Sequence, residues 1–526
     1  MKRYNISWML AVLVTVLSSC SDYLDINTNP NQATSVQPLL VLPAAITGTA
    51  SVSNQFNSYG LHFGGYMANA GGFSGFGNLF NYQIIPADYN ALWVNAYDNL
   101  NDYKYVIDKT EGDDTQAYAS AAAQIMVAYN FQKLVDAFGD VPYTEALQNN
   151  ANLTPKYDDA ATIYQDLVTK LDESIAKIDG AEFPTALNSS SDPMFGGDME
   201  KWKKFANTIK LRILIRVSGV PALSSFVTTK FAALDKTIGF ITDDAIVNPG
   251  YVKDKPNPLW NSWGYQSTGT LALQAPSRLP TEFAFGFYKG QKLEDIGRGE
   301  VIYKNFETNT PVNQLGNEVD APTIITNYST WYTGTFSSAS SISNALGVLK
   351  GPSQGQVLML LAEAQFLQAE ARLKGFITGD FAASFDAGIA ASYTYLYKDV
   401  TNVVAAGKNV AADVAAYKAG NAASYLVNIK LATTPAQRLE AIITQKWIAV
   451  NMINSEEGYN EFRRTGYPVT QPNGDAYHNI ASLLSTSTRP DKLPSRILYP
   501  TSEQSYNAGN YRTINPFTDL IFWDPN

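Results

Sequence analysis

The chain has 526 residues, a formal net charge of −10, 45% hydrophobic and 16% charged residues. That balance is globular, excludes long disordered stretches, and lacks the positive field with which a protein displaces counterions from nucleic acid. A single cysteine, Cys20, excludes disulfides within the chain, and His62 and His478 alone leave little material for a Cys/His metal site or a Ser-His triad.

The chain opens with Lys2-Arg3, an apolar run from Trp8 to Leu17, and Leu17-Ser18-Ser19-Cys20. A basic start, a short apolar stretch and small residues before a cysteine mark a secretory signal with a bacterial lipobox, and the run is too short to span a bilayer. Residues 1–19 are therefore expected to be removed and Cys20 to carry the lipid. Several acyl chains on one residue anchor stably where a single chain does so only marginally. Residues 20–40 read as the lipidated cysteine and a polar arm, and 41–526 as a single domain.

Helical patterns dominate up to residue 219. Leu92, Ala96, Leu100, Tyr103 and Ile107 fall on one helix face. The Ala-rich stretch Tyr118 to Phe138 follows and stops at Gly139-Asp140-Val141-Pro142. Ile163, Leu167, Leu171, Ile175 and Ile178 form another stripe, closed by Gly180. Trp202, Phe205, Ile209 and Ile213 continue it on a helix that also carries Lys203, Lys204, Lys210, Arg212 and Arg216. This basic set reads as a solvated face with one or two arginines paired to buried carboxylates, rather than as an anion site.

From 220 to 356 periodicity fades into turns, loops and short strands. Long ordered loops on a helical scaffold are where binding residues concentrate. Helices are expected again from Val357, with Ala362, Phe366, Ala369 and Leu373 on one face. A break at Gly375 to Gly379 and an N-cap at Asp380 make a helical hairpin like a tetratricopeptide unit, without a strict repeat. A further helix carries Leu439, Ile443, Trp447 and Val450. The scaffold is thus placed at 41–219 and 357–468, with C-terminal loops over 469–526.

No His-Glu-x-x-His, P-loop, Gly-x-Gly-x-x-Gly or EF-hand pattern occurs. Paired carboxylates converging from distant positions stay open. The distinctive resource is aromatic. Trp260, Trp263 and Tyr265 form one group in loop-like sequence, Trp331 and Tyr332 a second, and Phe73, Phe76 and Asn78 a weaker third. A sugar ring has an apolar C–H face and a hydroxyl rim, so an indole or phenol beside Asn, Ser, Thr or Asp suits it. A peptide could use the same surface. The competing reading is that these rings pin loops to the core, as large aromatics usually do. Trp202 and Trp447, on helical stripes, read as core.

Several segments, in order and nearly end to end, resemble the SusD/RagB group of nutrient-binding outer-membrane lipoproteins of Bacteroidetes-type bacteria. They are Cys20 to Asn27, Asp136 to Tyr143, and Asp192 to Asp198 running on through Trp202 to Arg212. Further along come Gln445-Lys446-Trp447, Arg463-Arg464-Thr465-Gly466-Tyr467-Pro468, and Pro494 to Pro500. The resemblance implies a mainly α fold: tetratricopeptide-like helical hairpins as a scaffold, an irregular loop-rich subdomain and few short strands. It implies a lipid-anchored lid, on the outer membrane and facing outward, over a SusC-like TonB-dependent transporter. Such a lid captures oligosaccharides, or peptides in some members, and catalyses nothing. No cofactor is predicted, and a structural Ca²⁺ on a loop is left open. Leu293-Glu294-Asp295-Ile296-Gly297-Arg298 departs from the Asp-Pro-Arg-Leu-like segment of this branch, so ligand contacts do not transfer by analogy. The rival is a surface glycan hydrolase drawing on Asp243, Asp244, Asp295 and Asp320, residues whose ordinary use is turns and caps.

Overall fold

In the computed structural model, residues 36–70, 81–234, 237–272, 274–307, 312–317, 331–334, 344–472 and 474–525 are described. Helix α1 (Pro38–Phe63) starts with proline in its first turn, where a missing N–H costs nothing. Strand β1 (Met67–Asn69) follows, then α2 (Asn90–Thr110) and α3 (Ala117–Phe138). The small side chains of α3 let its neighbours close around it, and nearly every residue of it is buried. Strand β2 (Val141–Pro142) pairs antiparallel with β3 (Tyr157–Asp158).

Helix α4 (Ala160–Asp179) buries the predicted stripe from Ile163 to Ile178; Asp159 caps it by accepting from Thr162 N, and Gly180 ends it. Each such aliphatic side chain is worth about 1.5–3 kcal/mol when fully buried. Helix α5 (Met199–Val217) is capped by Asp198. Consecutive helices from α1 to α5 pack on one another, the arrangement expected of helical hairpins.

The middle of the chain holds short elements: α6 (Ser224–Ala232), β4 (Ala245–Val247), α7 (Pro258–Trp263), β5 (Arg278–Pro280), α8 (Glu282–Phe285) and α9 (Ile296–Ile302). Residues 357–359, expected to be helical, belong instead to β6 (Gln356–Met359), antiparallel to β4, and the helix starts only at Leu361. All four residues of β6 are buried, and a short buried apolar run reads equally as strand or helix until a partner is known. The second helical half is α10 (Leu361–Leu373), α11 (Phe381–Tyr397), α12 (Val410–Gly420), α13 (Pro435–Ala449) and α14 (Ser455–Thr465), with a final short α15 (Thr501–Tyr506). Asp380 caps α11, accepting from Ala382 N.

Helices α10 and α11 form the predicted hairpin, while α14 returns to lie on α1. That crossing is close: a Cβ on Gly60 would stand 1.9 Å from Glu456 N, so only glycine fits. One hydrophobic cluster runs from Leu42 to Trp523 through both helical halves and the middle region.

The arginines of α5 pair with buried carboxylates as expected, but the face is not a solvated one, for Lys203 and Lys210 are buried too. Lys203 pairs with Asp179 at 2.6 Å and with Glu200 at 2.8 Å at the surface side. Arg212 and Arg216 point inward. Arg216 bonds Asp136 of α3 and Glu457 of α14, and Arg212 reaches Glu363 of α10 at 3.3 Å. Lys446 of α13 meets Glu461 at 2.9 Å, and Arg464 grips Glu370 through both guanidinium nitrogens at 2.8 and 2.7 Å. Burial alone would push Glu457 up, but Arg212 and Arg216 hold its carboxyl well below the usual range. Glu461 is lowered likewise, against its burial, by Arg464 and Lys446. Burial wins at Asp136 and at Glu456, which are raised despite Arg216 and Lys133 respectively. Asp136, Arg212, Lys446 and Arg464, from segments that carry the family resemblance, thus help to knit five helices together.

Candidate ligand-binding site

The loop face grows from two short ladders. Strand β1 pairs antiparallel with β5, setting Asn69 opposite Arg278, and Ala70 N continues the pairing to Ser277 O at 3.0 Å. Asn313 straps a third segment across: its side-chain amide donates to Asn69 O at 3.1 Å, and its own carbonyl accepts from Glu282 N at 3.0 Å. A bridge between Tyr303 and Trp331, with Tyr332 N donating to Ile302 O at 2.9 Å, fixes a fourth. Helix α7 is set against α1 by Asn54, whose amide donates to Ser262 Oγ at 3.0 Å and Pro258 O at 3.2 Å. Pieces of chain far apart in sequence thus converge beside α1.

Tryptophan roots this face. Trp263 of α7 meets Trp331 edge to face, centroids 5.2 Å apart. Trp260 lies 6.1 Å from Tyr265, and its indole covers Gly264, where a Cβ would come within 2.7 Å of the ring. The turn after α7 is closed by Gln266 N to Thr270 O at 2.9 Å and Ala272 N to Gly264 O at 3.0 Å.

Trp260, Trp263 and Trp331 are 0, 2 and 2% exposed. This departs from the expectation of open indole faces: the rings cover one another and fill the space under the loops. Tyr265 and Tyr332, from the same two groups, are half-buried. Phe73, Phe76 and Asn78 lie outside the described residues, as do Cys20 and the signal and arm up to residue 35. Trp202 and Trp447 are core, the latter donating its indole N–H to Gly64 O at 3.0 Å.

Arg278 is the residue that sequence reasoning missed. It is half-buried on β5, and its Nη1 donates to Ser277 Oγ at 3.0 Å. Burial pushes its guanidinium down to about 10, so it is poorly solvated at the point where β1 leads into residues 71–80. A signal was present: it is the only arginine between Arg216 and Arg298.

The carboxylates proposed for hydrolysis are engaged in the architecture. Asp295 caps α9, accepts from Tyr393 Oη at 2.6 Å and pairs with Arg298 at 2.5 Å, fully buried. Asp243 and Asp244 share Lys398 at 3.0 and 3.3 Å, and Asp244 accepts Leu361 N at the start of α10. Asp320 lies outside the described residues. Among the described residues no cluster of three His, Cys, Asp or Glu is placed to hold a metal, and no helix is long and apolar enough to cross a membrane.

Comparison with known proteins agrees with this architecture. The SusD-like family model described as "Starch-binding associating with outer membrane" matches residues 30–500. A SusD/RagB family protein from Bacteroides thetaiotaomicron superimposes with a TM-score of 0.70 at 18% identity, covering 93% of this chain and 99% of that one. A chitin-binding SusD homologue from Flavobacterium johnsoniae gives 0.68 at 22% identity, covering 92% and 99%. A SusD homologue from Bacteroides uniformis gives 0.66 at 22%, with the same coverage. At these identities the structures share the fold. No curated protein matches the chain in sequence.

Proposed function

We propose a function from one premise: the chain belongs to the SusD/RagB family. Proteins of this family associate with the outer membrane and bind nutrients; they are not enzymes. This member captures oligosaccharides outside the cell and passes them to a SusC-like TonB-dependent transporter, while Cys20, once lipidated, tethers it to the outer membrane facing the exterior.

The observation that supports oligosaccharide capture is that half-buried Tyr265 and Tyr332 adjoin in sequence the buried Trp263–Trp331 pair, and Tyr265 also packs near Trp260. A phenol ring offers a face for a sugar ring and a hydroxyl for its rim. Trp260 beside Tyr265 and the backbone bond from Tyr332 N to Ile302 O limit the movement of these residues, so little ordering entropy is lost when ligand arrives. Arg278 supplies hydrogen-bond donors on the same face, and Phe73, Phe76 and Asn78 belong to the segment that follows β1. Passing ligand onward requires a difference in affinity between two states of the lid, which favours moderate binding.

The test is calorimetric titration of the purified chain with chito-, malto- and cello-oligosaccharides, followed by mass spectrometry of the ligand. Saturable binding, ligand recovered intact, and weakening by Tyr265→Ala and Tyr332→Ala are expected. Cleaved product, or affinity indifferent to both tyrosines, overturns the reading.

A further inference from the structure

A concavity of about 380 Å³ lies between the second turn of α5, the segment that leads from α6 to β4, and the C-terminal half of α10 with the turn after it. Two side chains of α5 strap that segment down. Asn207 Nδ2 donates to Gly239 O at 2.8 Å, and Thr208 Oγ1 accepts from Ile241 N at 3.0 Å. Ile238, Phe240, Ile241 and Ile377 give the concavity an apolar lining. Ile238 and Phe240 are only half-buried, so part of this apolar surface stays within reach of a ligand.

Its charged lining is cationic alone: Lys204 from α5 and Arg372 from α10, with no carboxylate. The chain as a whole carries −10, so this runs against its average. The cations beside these two are neutralised. Lys203 pairs with Asp179 and Glu200, Lys210 with Asp172, and Lys374 with Glu370 at 2.8 Å. The carboxylates close by in sequence are engaged as well. Glu200, one turn before Lys204, is held by Lys203, and Asp243, next to the lining residue Thr242, by Lys398 at 3.0 Å. Asp380 caps α11.

Among the described residues neither Lys204 nor Arg372 enters an ion pair. The guanidinium of Arg372 donates to neutral acceptors: Thr378 O at 3.3 Å, Gln368 Oε1 at 3.4 Å, and Ser384 Oγ. These bonds fix its plane and leave its charge without a counter-ion. Two positive groups on one concavity repel each other, and an anion between them is drawn by both. A guanidinium held in plane suits a carboxylate, whose bonds to it are charge-assisted.

We propose that this concavity binds a small monocarboxylate with an apolar body of about one ring. The carboxylate lies between Lys204 and Arg372, and the body rests on the surface of Ile238 and Phe240. The volume, at the small end of the about 300–1,000 Å³ common for small-molecule pockets, sets that size. The ligand differs in class from that of the loop face, and the two sites share no residue.

The test titrates the purified chain with hydrocinnamate, and with hydrocinnamyl alcohol and acetate, which lack the charge and the ring respectively. Saturable binding of hydrocinnamate is expected, about tenfold or more tighter than that of either control, and weaker in high salt. Lys204→Met should weaken it about fivefold or more by removing one of the two charges. Thr378→Trp, which fills the space from an exposed position, should abolish it, and Tyr332→Ala on the loop face should leave it unchanged. Equal binding of the alcohol, binding indifferent to both Lys204→Met and Thr378→Trp, or no saturation by hydrocinnamate overturns the proposal. Oligosaccharide titration of the same variants reads the loop face separately, so either site can fail without the other.

Discussion

The junction of α3, α5, α10, α13 and α14 is held by ions, whereas the loop face beside α1 is held by rings. Arg216, Arg212 and Lys446 are buried against Asp136, Glu457 and Glu461, three cations facing three carboxylates. Such networks fix geometry, because moving one member strands another charge in a medium that solvates it poorly. The loop face instead stacks Trp263 on Trp331 and leaves Tyr265 and Tyr332 at the border. An edge-to-face ring pair holds its own geometry without burying any charge that could be stranded. The difference teaches that one fold can combine two kinds of interior: Asp136, Arg212, Lys446 and Arg464, from segments that carry the family resemblance, lie in the ionic part, while Trp263 and Trp331 lie in the aromatic part.

The sharpest way to break this comparison is Arg216→Met. It strands Asp136 and Glu457, and a loss of about 3–5 kcal/mol is expected in denaturant unfolding; a loss under about 1 kcal/mol would mean the network does not hold the helices. Trp331→Ala should follow, costing about 3 kcal/mol by cavity formation and weakening oligosaccharide binding together with stability. Tyr332→Ala should separate the two: about tenfold weaker binding, or about 1.4 kcal/mol, with stability changed by less than about 0.5 kcal/mol.

Acid should act on the scaffold alone. Glu457 and Glu461 sit below the usual glutamate range, so their contribution is complete above a pH of about 4.3 and is lost as pH falls toward their folded values. Asp136 and Glu456, raised by burial, work in the opposite direction and make the decline shallower. Unfolding free energies measured from pH 3 to 6 should therefore fall on the acid side. The smallest effect is expected for Asp243→Ala, whose partner Lys398 keeps Asp244: under about 1 kcal/mol, with no change in any ligand-cleavage assay.

Local spacing was enough to locate α2, α3, α4 and α5, the cap at Asp380 and the pairing of α5 arginines with buried carboxylates, because each depends on neighbours within a few residues or on a simple cost of burying charge. The same spacing misjudged residues 357–359, whose fate as β6 rests on β4, more than a hundred positions earlier in the chain. Composition likewise read Trp260, Trp263 and Trp331 as open platforms, and the fold buries all three.

The sequence by itself determined the helical scaffold and the scarcity of histidine and cysteine, since periodicity and composition are local properties. Only the tertiary structure decided which rings are covered and which carboxylates are engaged. Burial is a relation between distant segments: Trp263 is interior because Trp331 packs against it, and Glu457 stays charged because Arg216 arrives from another helix.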